Sequence, residues 1–130
     1  MRFGYRVKER YFSVNITIYH NPACSKSRKT LEIIRQHGLE PKIIEYLRSP
    51  PGEAEILRLA KLLGVQVAEI LRSNNADVGS DRPPEENEAL AAWLARHPQS
   101  LQRPIVVDED GKRAVIGRPP ESVHRILPGL

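Results

Sequence analysis

Between residues 16 and 47 the hydrophobic period changes twice, and that change limits the fold more than any other feature of the chain. Ile16-Thr17-Ile18-Tyr19 is a β-rich run stopped by His20-Asn21-Pro22, which reads as strand then loop. From Ser25 the period becomes helical. Ala23, Ser27, Thr30, Leu31 and Ile34 share one face, and Gly38 is placed to end the helix in the left-handed region. Pro41 then leads into Ile43-Ile44-Glu45-Tyr46-Leu47, a second strand. Strand, helix and strand joined by such short links form a βαβ unit, whose strands lie parallel.

The rest of the chain must complete that sheet. Pro50-Pro51-Gly52 breaks the chain, and Ile56, Leu59, Ala60 and Leu63 then recur at helical spacing until Gly64. Val67, Ile70 and Leu71 predict a short helix that runs out at Arg72, and the polar stretch from Ser73 to Arg82 predicts a loop. Pro83-Pro84-Glu85-Glu86 predicts a helix start, with Leu90, Trp93 and Leu94 on its buried side and an end near His97-Pro98. Ile105-Val106-Val107-Asp108 and Arg113-Ala114-Val115-Ile116 flank Asp110-Gly111, a signal for an antiparallel hairpin. Pro119-Pro120-Glu121 predicts a last helix through Val123, Ile126 and Leu127. The order is a βαβ half, a helical insertion, then a ββα half. This is an α/β, thioredoxin-like (glutaredoxin-like) fold class, expected over residues 15–130.

The 130 residues are 40% hydrophobic and 28% charged, enough for one packed core without staples. No apolar stretch approaches the ~18–20 residues of a membrane helix, and residues 1–14 carry no signal-peptide core. The expected compartment is the cytoplasm, with no membrane partner. The formal charge of +4 is concentrated at the start, where Arg2, Arg6, Lys8 and Arg10 stand against Glu9. The remaining chain is close to balance and offers no electrostatic footprint for nucleic acid. Residues 1–14 read as a basic, flexible or mis-assigned extension, with Val14 as a candidate initiation site.

One cysteine excludes an internal disulfide and, with so few candidate ligands, argues against a bound metal. Cys24 falls where a strand ends and a helix starts, so the free N–H groups of the first turn and the helix dipole favour a thiolate there. Lys26 and Arg28 add positive charge nearby, and His20 would add more when protonated. Cys24 is therefore a candidate nucleophile. The competing reading is a helix cap of the kind a serine would make, with Lys26 and Arg28 merely solvated. His20 is a candidate general base, charge partner or satisfied loop histidine. His37, His97 and His124 read as surface residues. Because position 27 is Ser27, Cys24 has no resolving thiol in its own chain, and any adduct it forms must be cleared by an external one.

These residues resemble a known family. Asn15 through Cys24, with Arg28 four residues on, resembles the opening of ArsC-type, glutaredoxin-dependent arsenate reductases. The likeness continues through Tyr46-Leu47, Leu71-Arg72, Gln102-Arg103-Pro104-Ile105-Val106-Val107 and Ile116-Gly117-Arg118-Pro119-Pro120-Glu121, over roughly residues 15–128. The resemblance implies that Cys24 attacks arsenate, that His20 assists its ionisation, and that Arg72, Arg103 and Arg118 bind the oxyanion. It gives Arg28 a supporting place and makes Pro104 a cis proline facing the nucleophile. It also implies glutathione as co-substrate and glutaredoxin as partner, with no bound cofactor; a monomer is expected. Two other functions stay open. Spx-type regulators share the fold and bind RNA polymerase, but many carry Cys-x-x-Cys where this chain has Ser27. An ArsC-like enzyme acting on another oxyanion or a disulfide is the other, suggested by the Cys24-Ser25-Lys26-Ser27-Arg28 form of the loop.

Overall fold

The computed structural model describes residues 5–7, 10–12, 15–72 and 81–127. They fall into two compact units, 1–44 with 103–130 and 45–102. In the first unit β1 (Tyr5–Val7) and β2 (Arg10–Phe12) pair antiparallel, with Tyr5 opposite Phe12. The sequence shows no strand period there, because three residues are too few to display one. The flexibility expected of residues 1–14 lies largely outside the described residues.

The sheet that carries the fold is mixed and four-stranded, in the order β4-β3-β5-β6. β3 (Ile16–His20) pairs antiparallel with β5 (Ile105–Asp108), setting Ile18 opposite Val106. β5 pairs antiparallel with β6 (Arg113–Ile116), setting Val106 opposite Val115. Every residue of β3 is buried, as expected of an inner strand covered on both faces. β4 (Lys42–Glu45) lies at the edge. It stops short of Leu47 because the Arg48 and Ser49 N–H groups both turn back to the Glu45 carbonyl, at 2.9 Å each.

Helix α1 (Ser25–Gln36) turns Ser27, Thr30, Leu31, Ile33 and Ile34 inward. It ends where the sequence predicts, with Gly38 at φ 78 donating its N–H to the Arg35 carbonyl at 2.9 Å. Ile16, Ile18, Leu31, Ile34, Val106, Val115, Val123 and Ile126 form one apolar cluster. The last helical segment, Pro120–Arg125, is a 3-10 helix that packs on α1. A regular α-helix was the sequence expectation there. The segment takes the tighter i→i+3 form instead, with the Ile126 N–H bonded to the Val123 carbonyl at 3.1 Å. In the β5–β6 hairpin the left-handed residue is Lys112 (φ 54), not Gly111. Gly111 is required for a different reason. Its N–H bonds Asp108 Oδ1 at 2.9 Å, and a Cβ there would run into the same carboxylate.

The second unit is helical. α2 (Glu53–Leu63) packs against α3 (Asn87–Arg96), burying Ile56, Leu59, Leu90 and Leu94. Gly64, at φ 74, ends α2. A 3-10 turn over Val67–Ile70 leads to Arg72, and Leu71 bridges to Leu101. The loop expected from Ser73 lies outside the described residues up to position 80. α3 begins later than the paired prolines suggest. Glu86 is its cap, and its carboxylate accepts the Ala89 N–H at 2.9 Å. Consecutive prolines hold the residue before each out of the helical region, so the first turn waits for a side chain that can cap it. His97 is not a plain surface residue: it stacks on Trp93 at 4.0 Å and meets Asp81 at 2.8 Å.

Both cores should answer to truncation. Ile34→Ala in the first unit and Leu94→Ala in the second should each cost about 2–5 kcal/mol in urea unfolding. Ile43→Ala on the exposed edge should cost about 0.5 kcal/mol or less.

Candidate active site

Cys24 stands at the N-cap of α1, with extended backbone at φ −96, ψ 124. The loop before it is tied down on itself. The Cys24 N–H bonds the Asn21 carbonyl at 2.9 Å, the Ala23 N–H bonds Asn21 Oδ1 at 2.9 Å, and Arg28 Nη1 bonds the Pro22 carbonyl at 2.9 Å. Arg28 is thus a latch on the loop that presents the thiol. The first turn of α1 holds no acidic residue to compete for its N–H groups.

The thiol closes no short cap bond, as expected of a weak neutral acceptor. Its thiolate is favoured nonetheless. Burial pushes the Cys24 thiol up, but the Ser27 N–H, the Arg103 guanidinium, the Lys26 N–H and the Arg103 charge outweigh that effect. The net result is a thiol below its ordinary range. Ser27 and Lys26 are the third and second residues of α1, the positions whose N–H groups an N-cap side chain normally faces.

Two further loops converge on this end of the first unit. Arg103-Pro104 precedes β5 and Arg118-Pro119 follows β6, and both peptide bonds are cis. The expected cis bond at Pro104 is present; the one at Pro119 adds a second. Arg118 Nη1 donates to the Arg103 carbonyl at 3.2 Å, so one arginine braces the loop that carries the other. Arg103 Nε is buried and makes no hydrogen bond, an uncommon state for a donor. Gly117 sets the approach of the Arg118 loop. Its N–H bonds the Pro104 carbonyl at 2.9 Å, and a Cβ there would lie 2.6 Å from Thr30 Oγ1 and 2.9 Å from Pro104 Cγ.

The structure therefore gathers Cys24, His20, Arg28, Arg103, Pro104 and Arg118 in one unit, while Arg72 belongs to the other. There the Arg72 N–H bonds the Ser100 carbonyl at 2.7 Å. His20 is buried, and its Nδ1 lies 2.6 Å from Ser27 Oγ. The hydroxyl of Ser27, the packing of Thr30 against Gly117 and the brace between the two arginines were not read from sequence. A serine at the third helical position, facing back toward the cap, was the available sign for the first. A groove of about 580 Å³ runs beside α1 past His20, Pro22, Arg28, Leu31, Glu32, Arg35 and Gln36. Cys24 and Arg103 are not among its lining residues. Among the described residues no three His, Cys, Asp or Glu side chains cluster as metal ligands.

Comparison with known proteins adds to this geometry. The ArsC family model matches residues 19–126. The chain is 44% identical over 117 residues to an arsenate reductase of Escherichia coli strain K12, covering 88% of this chain and 82% of that protein. It is 40% identical over 116 residues to the uncharacterized Escherichia coli protein YfgD, covering 86% of this chain and 96% of that protein. A solved arsenate reductase from Vibrio cholerae superposes with a TM-score of 0.80 at 38% identity, covering 89% of this chain and all of that one. The shared fold is thioredoxin-like.

The single thiol makes its ionisation directly measurable. The iodoacetamide rate should rise with pH through a midpoint below that of an ordinary cysteine. In Arg103→Ala the midpoint should move up, because a cation that favours the thiolate is gone; an unmoved midpoint would remove Arg103 from the site. Gly117→Ala should cost about 1–3 kcal/mol of stability in urea unfolding, as overpacking against Thr30 and Pro104.

Proposed function

We propose, from the premise that the chain belongs to the ArsC family, that it reduces arsenate to arsenite with Cys24 as nucleophile. The observation that carries this reading is a thiol held below its ordinary range by helix N–H groups and the Arg103 guanidinium.

Arsenate is a tetrahedral oxyanion, so an attacking thiolate meets like charge. Guanidinium forks offset that repulsion, because they present paired N–H donors and remain charged throughout. Arg103, whose guanidinium lies beside the Cys24 thiol, supplies one fork. Arg118 supplies a second, and Arg72 is the third in this reading. Donors of this kind also stabilise charge that builds in the transition state, each worth about 3–4 kcal/mol. His20 assists the ionisation of Cys24.

The cycle balances with external thiols. Cys24 thiolate forms a sulfur–arsenic bond and arsenate loses an oxygen as water. Glutathione then displaces a second oxygen as water, so that arsenic carries both sulfurs. A glutaredoxin thiolate attacks the glutathione sulfur, forming a mixed disulfide and leaving arsenic in the +3 state on Cys24. Water cleaves that sulfur–arsenic bond, releasing arsenite and the Cys24 thiol. Two electrons pass from thiols to arsenic, the thiols end as a disulfide, and no metal or bound organic cofactor takes part. Thiol-driven chemistry of this kind belongs in a reducing compartment, here the cytoplasm. No helix among the described residues is long and apolar enough to cross a membrane. The catalytic unit in this reading is a monomer.

A second reading keeps the same chemistry with a different oxyanion or a disulfide as substrate. The relatives named arsenate reductase do not favour it. Regulation through RNA polymerase is not favoured by the relatives.

The test is arsenate-dependent NADPH oxidation with glutathione, glutaredoxin and glutathione reductase supplied. Turnover should need both arsenate and Cys24, and Cys24→Ser should abolish it while the protein stays folded. Turnover retained in Cys24→Ser would sink the mechanism, and an inactive but folded wild type would favour the other substrate. Arg103→Lys and Arg118→Lys should each lower kcat/KM by roughly 10- to 100-fold despite keeping the charge. Wild-type rates in both would exclude bidentate anion binding.

A further inference from the structure

Ser27 is fully buried, yet every polar group it owns is engaged. Its Oγ lies 2.6 Å from His20 Nδ1 and accepts the Asn21 N–H at 3.0 Å. Its own N–H is the third of α1, one of the free donors of the turn that Cys24 caps. One side of the residue therefore grips the last residue of β3 and the first of the loop, while the other side addresses the nucleophile. We propose that Ser27 is the positioning residue of the nucleophile: its hydroxyl ties His20 and Asn21 to the first turn of α1 and so fixes the aim of the N–H groups that stabilise the Cys24 thiolate. The proposal rests on the reading of Cys24 as nucleophile and deepens it.

The geometry explains why the hydroxyl is specific. The Asn21 N–H occupies one lone pair of Oγ, leaving a second lone pair and one proton for His20. A neutral His20 takes that proton at Nδ1 and keeps its own on Nε2. A protonated His20 turns the bond around and donates from Nδ1. In both states Oγ is bonded to His20, so the first turn stays attached to β3 whichever form the histidine takes. Alanine at position 27 keeps the backbone N–H but loses both ties. The first turn then loses its side-chain tie to the end of the strand, and the dipoles around the sulfur lose part of their fixed direction. A small change of direction matters because charge–dipole attraction at a helix N-terminus fades within the first turn.

His20 influences Cys24 by this route, so the two residues should act as one unit. Replacing either should weaken the thiolate, and replacing both should do little more than replacing one.

The test uses the full chain and needs no arsenate. The rate of iodoacetamide alkylation is followed against pH, with Cys24 as the only thiol and melting temperature recorded for each variant. Ser27→Ala should move the midpoint up by about half a unit to one unit. Ser27→Thr, which keeps the hydroxyl, should return it close to wild type. The Ser27→Ala/His20→Ala double variant should shift no further than the larger single change. A folded Ser27→Ala with the wild-type midpoint would overturn the proposal, and so would additive shifts in the double variant. Should Ser27→Ala fail to fold, nitrogen NMR of the wild-type imidazoles decides. The His20 Nδ1 resonance should move as Cys24 ionises, and a resonance indifferent to Cys24 would overturn the proposal. Loss of arsenate turnover with the expected alkylation shifts would count against the substrate alone, and leave the role of Ser27 standing.

Discussion

The site depends on a contest at one sulfur atom. Partial burial makes a charge on Cys24 costly, while the free N–H groups of the first helical turn and one guanidinium make it favourable, and the second effect wins. The elements described above serve that balance. β3 delivers the chain to the start of α1, and Asn21 and Arg28 fold the loop so that Cys24 caps the helix. The apolar face of α1 anchors the helix against the sheet. Were the helix to begin one residue later, the sulfur would lose the donors that face it, and the fold would remain while the chemistry did not.

The arginine loops solve a complementary problem, which is how to hold positive charge still. Long charged side chains lose considerable freedom when they are fixed, and a flexible cation gives up binding energy to that loss. Here Arg118 bonds the carbonyl of Arg103, Gly117 bonds the carbonyl of Pro104, and Thr30 packs directly beneath Gly117. The two loops thus set each other's position and rest on the helix that carries the nucleophile. Glycine at 117 is the condition for that closeness, since even one methyl group would force the layers apart.

Much of this was legible in the sequence because it rests on local rules. The change from strand to helix around Pro22, the left-handed glycines at 38 and 64, and the βαβ opening all follow from short-range pattern. The cysteine at the junction and the cations beside it were equally open to reading. The features that escaped involve residues far apart in the chain or atoms rather than residue types. No periodicity announces that Gly117 must clear Thr30, or that Arg118 will bond the backbone of Arg103. The start of α3 at Glu86 and the 3-10 form of Pro120–Arg125 depend on which N–H finds an acceptor. Ser27 was read in sequence as a residue of the inner helix face and as the absence of a second cysteine, whereas its hydroxyl is a structural joint.

That hydroxyl has a consequence for how the oxidised protein can be handled. Oxygen at position 27 cannot be oxidised to bridge Cys24, so the chain has no internal disulfide in which to wait. Each molecule oxidised to a disulfide must carry a foreign thiol on its sulfur until another thiol removes it. The mass of that group identifies the donor, so a population trapped mid-cycle would record which thiols had visited it.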